Sequence, residues 1–155
     1  MSIPRREDGR PGEYFSWAEL QGTRTGLDNV APEEARENLR RLCYEILDPV
    51  RRIVGPIRVN SGYRSLAVNT KIGGSRTSAH MKGCAADIVP MASDWTPDRL
   101  AQLIAAGDYP FDQLILYESG FVHVGQSRTP RRQLLYSPRS GGYQRGLSGF
   151  LPPIV

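Results

Sequence analysis

The sequence lacks several features that would place it in a common class of protein. It has two cysteines, Cys43 and Cys84, and no CxxC pair, so a disulfide framework is excluded. No apolar run reaches eighteen residues, so no membrane-spanning helix is predicted. The N-terminal stretch MSIPRREDGRPGEY has no apolar core typical of a secretory signal. We therefore expect synthesis in the cytoplasm without a signal peptide, and no membrane insertion.

Composition and charge are those of an ordinary folded domain with a basic surface. The chain has 155 residues, of which 39% are hydrophobic, and this suits one compact domain. The formal net charge is +4. It fits either a solvated basic surface or attraction to an anionic polymer such as cell wall, nucleic acid or membrane surface. Nucleic-acid binding is not expected, because no aromatic-basic platform accompanies the dispersed arginines.

Local patterns divide the chain into three parts. Residues 1–13 are polar and contain proline and glycine, which predicts a flexible N-terminal arm. Residues 14–136 carry the periodic apolar patterns of a folded domain. Residues 137–155 are rich in glycine, serine and proline, which predicts an irregular C-terminal tail.

One long helix and a hairpin dominate the folded part. Apolar residues recur at three- and four-residue steps between Pro32 and Val54, which predicts a helix that Gly55 ends and that Pro49 kinks or splits near Leu47. Two apolar runs, 113–117 and 121–124, flank a Glu-Ser-Gly loop and predict a hairpin. Shorter helices and strands are predicted around them. The expected fold class is α+β, with a small, mainly antiparallel sheet packed against one long helix and shorter helices.

The two histidines of the chain, His80 and His123, both lie in apolar, strand-like surroundings, and Asp87 follows the first of them. Two imidazoles and one carboxylate form a three-ligand set typical of catalytic zinc, which keeps a fourth position for water. Ser78 is close enough in sequence to help orient His80. Cys84 is a weaker candidate ligand, because in an extended strand it faces away from Asp87.

The spacing of these residues resembles that of a known family. The segments that carry the resemblance are Ser78-x-His80-x-x-Gly83-x-Ala85-x-Asp87, Ser61-Gly62-Tyr63-Arg64, Phe111-Asp112-Gln113-Leu114-Ile115 and Phe121-Val122-His123-Val124. They are similar to segments of the M15 zinc peptidases, and more narrowly of small phage and prophage members that are D-alanyl-D-alanine carboxypeptidase-like. The resemblance spans about residues 14–136.

The resemblance implies a site and an activity. His80, Asp87 and His123 would bind Zn²⁺, Arg64 would stabilise the substrate carbonyl and the oxyanion formed from it, and Ser78 would contact substrate or support a ligand. Members of this family hydrolyse peptide bonds in peptidoglycan stems or cross-links next to D-amino acids. A zinc-dependent hydrolysis by an activated water is therefore the expected reaction.

The general base is the open point of this prediction. The positions where better-studied branches of the family carry a base are Gly120 and Phe121 here, so we predict the nearest carboxylate, Glu118, as the base. Asp112 is the alternative, although the predicted hairpin register places it on the face opposite to His123. Gln113 is predicted on the same face as His123, as a substrate contact.

The remaining expectations concern the context in which the protein acts. A catalytically inactive, zinc-containing module that binds cell wall or forms part of a virion is the alternative to a peptidase. The absence of a signal suggests a phage or prophage protein that acts on the wall after holin-dependent release or as part of a particle. The partner is expected to be a peptidoglycan peptide, and the protein is expected to be a monomer.

Overall fold

The computed structural model describes residues 3–146. This part of the chain contains five α-helices and six strands. The helices are α1 Trp17–Gln21, α2 Glu33–Leu42, α3 Asp48–Val54, α4 Leu66–Lys71 and α5 Pro97–Ala106. The strands are β1 Ile57–Ser61, β2 Ala85–Pro90, β3 Gln113–Tyr117, β4 Phe121–Gly125, β5 Gln133–Ser137 and β6 Gln144–Arg145. No helix among these residues is long and apolar enough to cross a bilayer.

The strands form one mixed sheet in the order β1-β2-β4-β3-β5-β6. All neighbouring pairs are antiparallel except β3 and β5, which run parallel. In the hairpin, Tyr117 pairs with Phe121 and Ile115 with His123, as the three-residue loop predicts. The predicted fold class is therefore confirmed, with a single parallel pair added to a mainly antiparallel sheet.

The predicted long helix is one helical run whose centre is widened. Helices α2 and α3 are joined by a π-helical turn, Cys43–Leu47, in which the Asp48 N–H donates to the carbonyl five residues earlier. Pro49, at the start of α3, has no N–H to donate and disfavours regular α-helical bonding here. Gly55 ends the run at a positive φ of 81°, which glycine adopts without strain.

The hydrophobic core lies between the helices and one face of the sheet. Because side chains alternate along a strand, every second residue of the central strands points into this core. Those residues are Ala86, Ile88, Leu114, Leu116, Val122 and Val124. They pack with the apolar residues of the helical run, including Leu39, Leu42, Ile46, Leu47 and Val50. The opposite face of the sheet is left to carry polar groups.

The two ends predicted to lack regular structure make specific contacts where the structure describes them. In the N-terminal arm, Ile3 is buried and the backbone N–H of Glu13 donates to the buried Asp48 (2.9 Å). The short strand β6 lies inside the predicted tail and pairs with β5. The last nine residues of that tail, 147–155, lie outside the described residues.

Candidate metal centre

The strand register places two of the three predicted metal ligands directly opposite one another. Asp87 of β2 pairs with His123 of β4, so both side chains project from the polar face of the sheet. Ile115 of β3 pairs with the other side of His123. Successive side chains of a strand point to opposite faces of the sheet. Because Ala86 and Val124 are buried on the helical side, their neighbours Asp87 and His123 project from the other side.

His80 reaches the same place from a 3₁₀ turn, Ala79–Lys82, that precedes β2. The backbone N–H of His80 donates to the hydroxyl of Ser78 (3.2 Å), which caps this turn. Gly83 follows with a positive φ of 73°, and an added Cβ there would lie 2.3 Å from the carbonyl oxygen of Ala35. A tight turn at Gly83 therefore joins the 3₁₀ turn to β2, and the packing against α2 permits no side chain at this position.

The ring of His80 is oriented by a backbone carbonyl. Its Nδ1 donates to the carbonyl oxygen of Gly62 at 2.7 Å. Ser78, which we considered for this task, instead accepts the backbone N–H of His80. With Nδ1 protonated, a neutral imidazole presents the lone pair of Nε2 on its other side. That lone pair faces Oδ1 of Asp87 at 3.3 Å.

The three side chains converge as a metal site requires. One ligand atom from each of His80, Asp87 and His123 lies within 4.8 Å of the others, and all three residues are buried. Oδ1 of Asp87 is also 3.0 Å from Nδ1 of His123. A metal cation at this point would bind the Nε2 lone pair of His80 and the carboxylate of Asp87 at the same time. This donor set fits zinc, which favours imidazole nitrogen and carboxylate oxygen.

Arg64 supports the carboxylate from its other side. Nη2 of Arg64 donates to Oδ2 of Asp87 (3.2 Å), while Nε donates to the hydroxyl of Ser61 (2.9 Å). Burial alone would raise the pKa of Asp87, but hydrogen bonds from the rings of His123 and His80, when the nitrogens that face the carboxylate carry protons, hold the pKa well below its usual value. Asp87 is therefore an anion throughout the neutral range, which is the form that binds metal.

The Ser61-Gly62-Tyr63-Arg64 segment is held in place by contacts that the sequence did not indicate. The backbone N–H of Tyr63 donates to the carbonyl of Leu20 (2.7 Å). The buried Asn29 donates to the carbonyl of Tyr63 (2.8 Å) and accepts the backbone N–H of Ser65 (2.7 Å). These contacts fix the Gly62 carbonyl that orients His80 and the base of the Arg64 side chain.

The three predicted metal ligands line a cavity of about 570 Å³. Ser78, Gln113 and Arg64, which we predicted as substrate contacts, all line it. Gln113 lies on the same face as His123, and its amide donates to Gln133 (2.8 Å). The structure therefore brings the predicted substrate contacts and the three predicted metal ligands together.

The two candidate bases occupy different places. Glu118 is exposed at the end of the hairpin, does not line the cavity, and accepts the backbone N–H of Arg139 (2.9 Å). Asp112 does line the cavity, so the expectation that it lies on the far side of the sheet is wrong. It precedes β3, where strand alternation no longer fixes its direction. Hydrogen bonds from Arg131 lower the pKa of Asp112, although partial burial opposes this.

Two residues of the cavity wall had no local signal in the sequence. The hydroxyl of Tyr143 lies 3.4 Å from that of Tyr117, and burial together with this hydrogen bond raises the pKa of Tyr117 well above its usual value. Tyr117 is therefore a protonated hydrogen-bond donor at neutral pH. Gln126 is buried and donates to the carbonyl of Asn38 (2.8 Å). Tyr143 comes from the predicted tail, and only the folded chain places it here.

Comparison with known proteins agrees with this geometry. A family model described as Peptidase M15 matches residues 13–125, which include the three predicted metal ligands and Arg64. The chain is also similar to the zinc D-Ala-D-Ala carboxypeptidase of Streptomyces albus G, with 36% identity over 78 residues. The aligned part is 48% of this chain and 30% of that relative. The chain thus spans about a third of the length of the curated relative it matches.

Proposed function

Since this chain belongs to the peptidase M15 family, we propose that it is a zinc metallopeptidase that hydrolyses peptidoglycan stem or cross-link peptides next to D-amino acids. The observation that carries the proposal is the convergence of His80, Asp87 and His123 at the bottom of an open cavity. The name of the Streptomyces relative supports the choice of a D-Ala-D-Ala peptide as the substrate class. Carboxypeptidase and murein endopeptidase are both consistent with this site.

Zinc, when bound in such a site, lowers the pKa of its water towards neutrality and polarises the scissile carbonyl. The chain's own residues supply the remaining functions. The guanidinium of Arg64 donates hydrogen bonds to Ser61 and Asp87, and these bonds hold it at the cavity wall. We assign to it the stabilisation of the negative charge that develops on the substrate carbonyl oxygen. Ser78 and Gln113, at the cavity wall, would contact the peptide.

A proton acceptor for the attacking water completes the proposal. We assign this role to Glu118. Its carboxylate accepts a hydrogen bond from one backbone N–H, and no cationic side chain lies within 4.0 Å of it in the described part of the chain. To act, it must leave the Arg139 N–H and turn into the cavity. Asp112 is the rival, already at the cavity wall but held by two side-chain hydrogen bonds from Arg131 (3.0 and 2.8 Å).

The two candidates are separable by substitution. In Glu118→Gln, kcat should fall by about 10²-fold or more if this carboxylate is the base. The matched Asp112→Asn variant should then retain most of the activity. The reverse pattern would transfer the role to Asp112, and full activity in both variants would exclude both carboxylates.

Activity itself is tested with zinc-loaded protein, purified peptidoglycan and a pentapeptide ending in D-Ala-D-Ala. Products are separated by chromatography and identified by mass spectrometry from pH six to nine. Release of D-alanine indicates a carboxypeptidase, and internal cleavage indicates an endopeptidase. Failure to cleave either substrate at any pH would contradict the proposal.

A second candidate function is a zinc-containing module that binds cell wall or forms part of a virion without cleaving. It is favoured by one observation: among residues 3–146, the carboxylates that line the cavity are Asp87 and Asp112, and each is hydrogen-bonded to an arginine. Sedimentation with insoluble peptidoglycan in the absence of any cleavage product would support this alternative.

We further propose that the protein is a monomer and belongs to a phage or prophage, acting on the wall after release from the cytoplasm or as part of a particle. The proposal rests on the family resemblance of the small members. Mass spectrometry of lysates and of purified particles separates the two routes. A lysis enzyme is found in the lysate only, whereas a virion component is found in the particle.

A further inference from the structure

A second concave surface adjoins the metal cavity. It is a groove of about 730 Å³ between strand β1 and the loop that follows α1, and we call it the β1 groove. One wall is formed by residues 58–61 of β1, and the other by residues 22–25. The loop wall is ordered by hydroxyl contacts, since the backbone N–H of Thr25 donates to the hydroxyl of Thr23 (3.2 Å).

The lining of the β1 groove carries positive charge only. It includes Arg24, Arg58 and Arg64, and no aspartate or glutamate. Arg64 is paired with Asp87, but no carboxylate within 4.0 Å accompanies Arg24 or Arg58 in the part of the chain that the structure describes. Nε of Arg58 donates to the side chain of Asn60 (3.0 Å), which leaves both terminal amino groups of the guanidinium to bind an anion.

The groove and the metal cavity share a wall residue. Ser61 lines the groove, Arg64 lines both, and Arg64 contacts the metal ligand Asp87 directly. In the sheet, Arg58 pairs with Val89, two residues beyond Asp87 on β2. Because strand residues advance about 3.4 Å each, Arg58 starts about 7 Å along the sheet from Asp87. This separation equals about two residues of an extended peptide.

The position of β1 in the sheet also suits an extended ligand. It is the edge strand at one end of the six-stranded sheet, with β2 as its strand partner. An edge strand presents unpaired backbone groups to which an extended peptide can add by hydrogen bonding. The groove thus offers backbone groups along its length and two arginines for an acidic side group.

We propose that the β1 groove binds a carboxylate of the peptide substrate, two to three residues from the bond that is cleaved, through Arg58 and Arg24. This inference rests on the proposed function for the identity of the bond, but not for the binding itself. It makes the two arginines specificity-determining residues: a peptide with a free carboxylate at that position is preferred to the same peptide with an amide.

Binding and cleavage are measured separately with two probes. The first is the peptide L-Ala-γ-D-Glu-L-Lys-D-Ala-D-Ala with a neutral fluorophore at its N-terminus, and the second is the same peptide with the α-carboxylate of glutamate amidated. Fluorescence anisotropy with the zinc-loaded protein gives the affinity, and chromatography verifies that the peptide is intact during the reading. Chromatography over longer times gives kcat and KM.

Arg58→Gln and Arg24→Gln should each weaken binding of the acidic peptide about tenfold, since each removes a charge-assisted hydrogen bond. Binding of the amidated peptide should not change. Arg10→Gln is the matched control, because Arg10 is exposed, lies outside both cavities and carries the same charge. If the effect is one of binding, it should appear in KM and leave kcat unaltered.

The outcomes distinguish this inference from the proposed function. Equal affinity for the two peptides, or equal loss in the Arg10→Gln control, would overturn the role of the groove even if both peptides are cleaved. Arginine-dependent preference for the acidic peptide without any cleavage would support the groove and contradict the peptidase. Equal displacement of both peptides by a short oligonucleotide, with no preference between them, would identify a general polyanion surface and overturn the inference.

Discussion

Arg64 binds one oxygen of the Asp87 carboxylate, and the other oxygen faces the two histidines. Nη2 of Arg64 binds Oδ2 of Asp87 at 3.2 Å, and Oδ1 of Asp87 faces both histidines at 3.0 and 3.3 Å. The contact with arginine therefore leaves Oδ1 as the oxygen that faces the two predicted histidine ligands. A residue that the family resemblance assigns to the substrate is thus also a positioning residue for a metal ligand.

Arg64→Lys should weaken zinc binding by about 10- to 100-fold, as loss of a group that orients a metal ligand commonly does. A lysine keeps the charge but cannot bond Ser61 and Asp87 at the same time, because it lacks the planar fork of arginine. Zinc affinity is measured by competition with a chromogenic chelator. Arg10→Lys serves as the control, and unchanged zinc affinity in Arg64→Lys would contradict the positioning role.

Gly62→Ala should destabilise the fold by about 1–3 kcal/mol, the usual cost of overpacking. An alanine Cβ at this position would lie 2.5 Å from the carbonyl oxygen of Leu20, which is backbone and cannot rotate away. The same shift would move the Gly62 carbonyl that orients His80, so zinc affinity should fall as well. Chemical denaturation measures the first effect and chelator competition the second.

Gly22→Ala is the comparison for that variant. Its Cβ would meet its nearest neighbour, the carbonyl oxygen of Ala18, at 3.3 Å, so a change within about 0.5 kcal/mol is expected. Equal stability losses in Gly22→Ala and Gly62→Ala would show that close packing at Gly62 is not the cause.

Asn29→Ala should cost about 3 kcal/mol of unfolding free energy, because it leaves buried backbone groups without hydrogen-bond partners. The groups are the carbonyls of Gln21 and Tyr63 and the N–H of Ser65. Asn60→Ala removes an exposed amide with a single contact to Arg58 and should change stability little. Thermal unfolding of the two variants side by side measures the difference.

Asp112→Asn should lower stability at neutral pH by a few tenths to about 1 kcal/mol, since Arg131 is largely exposed and solvent screens the pair. The hydrogen bonds of Arg131 lower the pKa of folded Asp112 below its usual value of 3.8. Asp112 therefore stabilises the fold above that pH, and its contribution is lost as the pH falls through the lower, folded-state pKa.

Denaturation of wild type and Asp112→Asn between pH seven and three measures this dependence. The gap between the two proteins should be constant down to about pH five and should close at lower pH. A gap that widens on acidification would contradict the lowered pKa.

The sequence by itself determined the main elements and the candidate metal ligands of this protein. Short-range patterns were enough to predict the helical run around Leu39 and the hairpin register that pairs Ile115 with His123. Both depend only on residues that lie close together in the sequence. The candidate ligands His80, Asp87 and His123 could be identified because the chain has two histidines and the spacing of the three residues resembles that of a known family.

The tertiary structure decided how those ligands are held and what surrounds them. The carbonyl of Gly62, the amide of Asn29 and the hydroxyl of Tyr143 act across 18, 34 and 26 residues of chain, respectively. Every residue has a backbone carbonyl, so the residue type does not indicate which carbonyl will orient a side chain. No local periodicity links residues so far apart in the sequence. The face of the sheet on which Asp112 lies was predicted wrongly for a related reason. The alternation of side chains along β3 does not extend to the residue that precedes the strand. These contacts form because the packing of the helices against the sheet brings residues that are far apart in the sequence into one fixed arrangement.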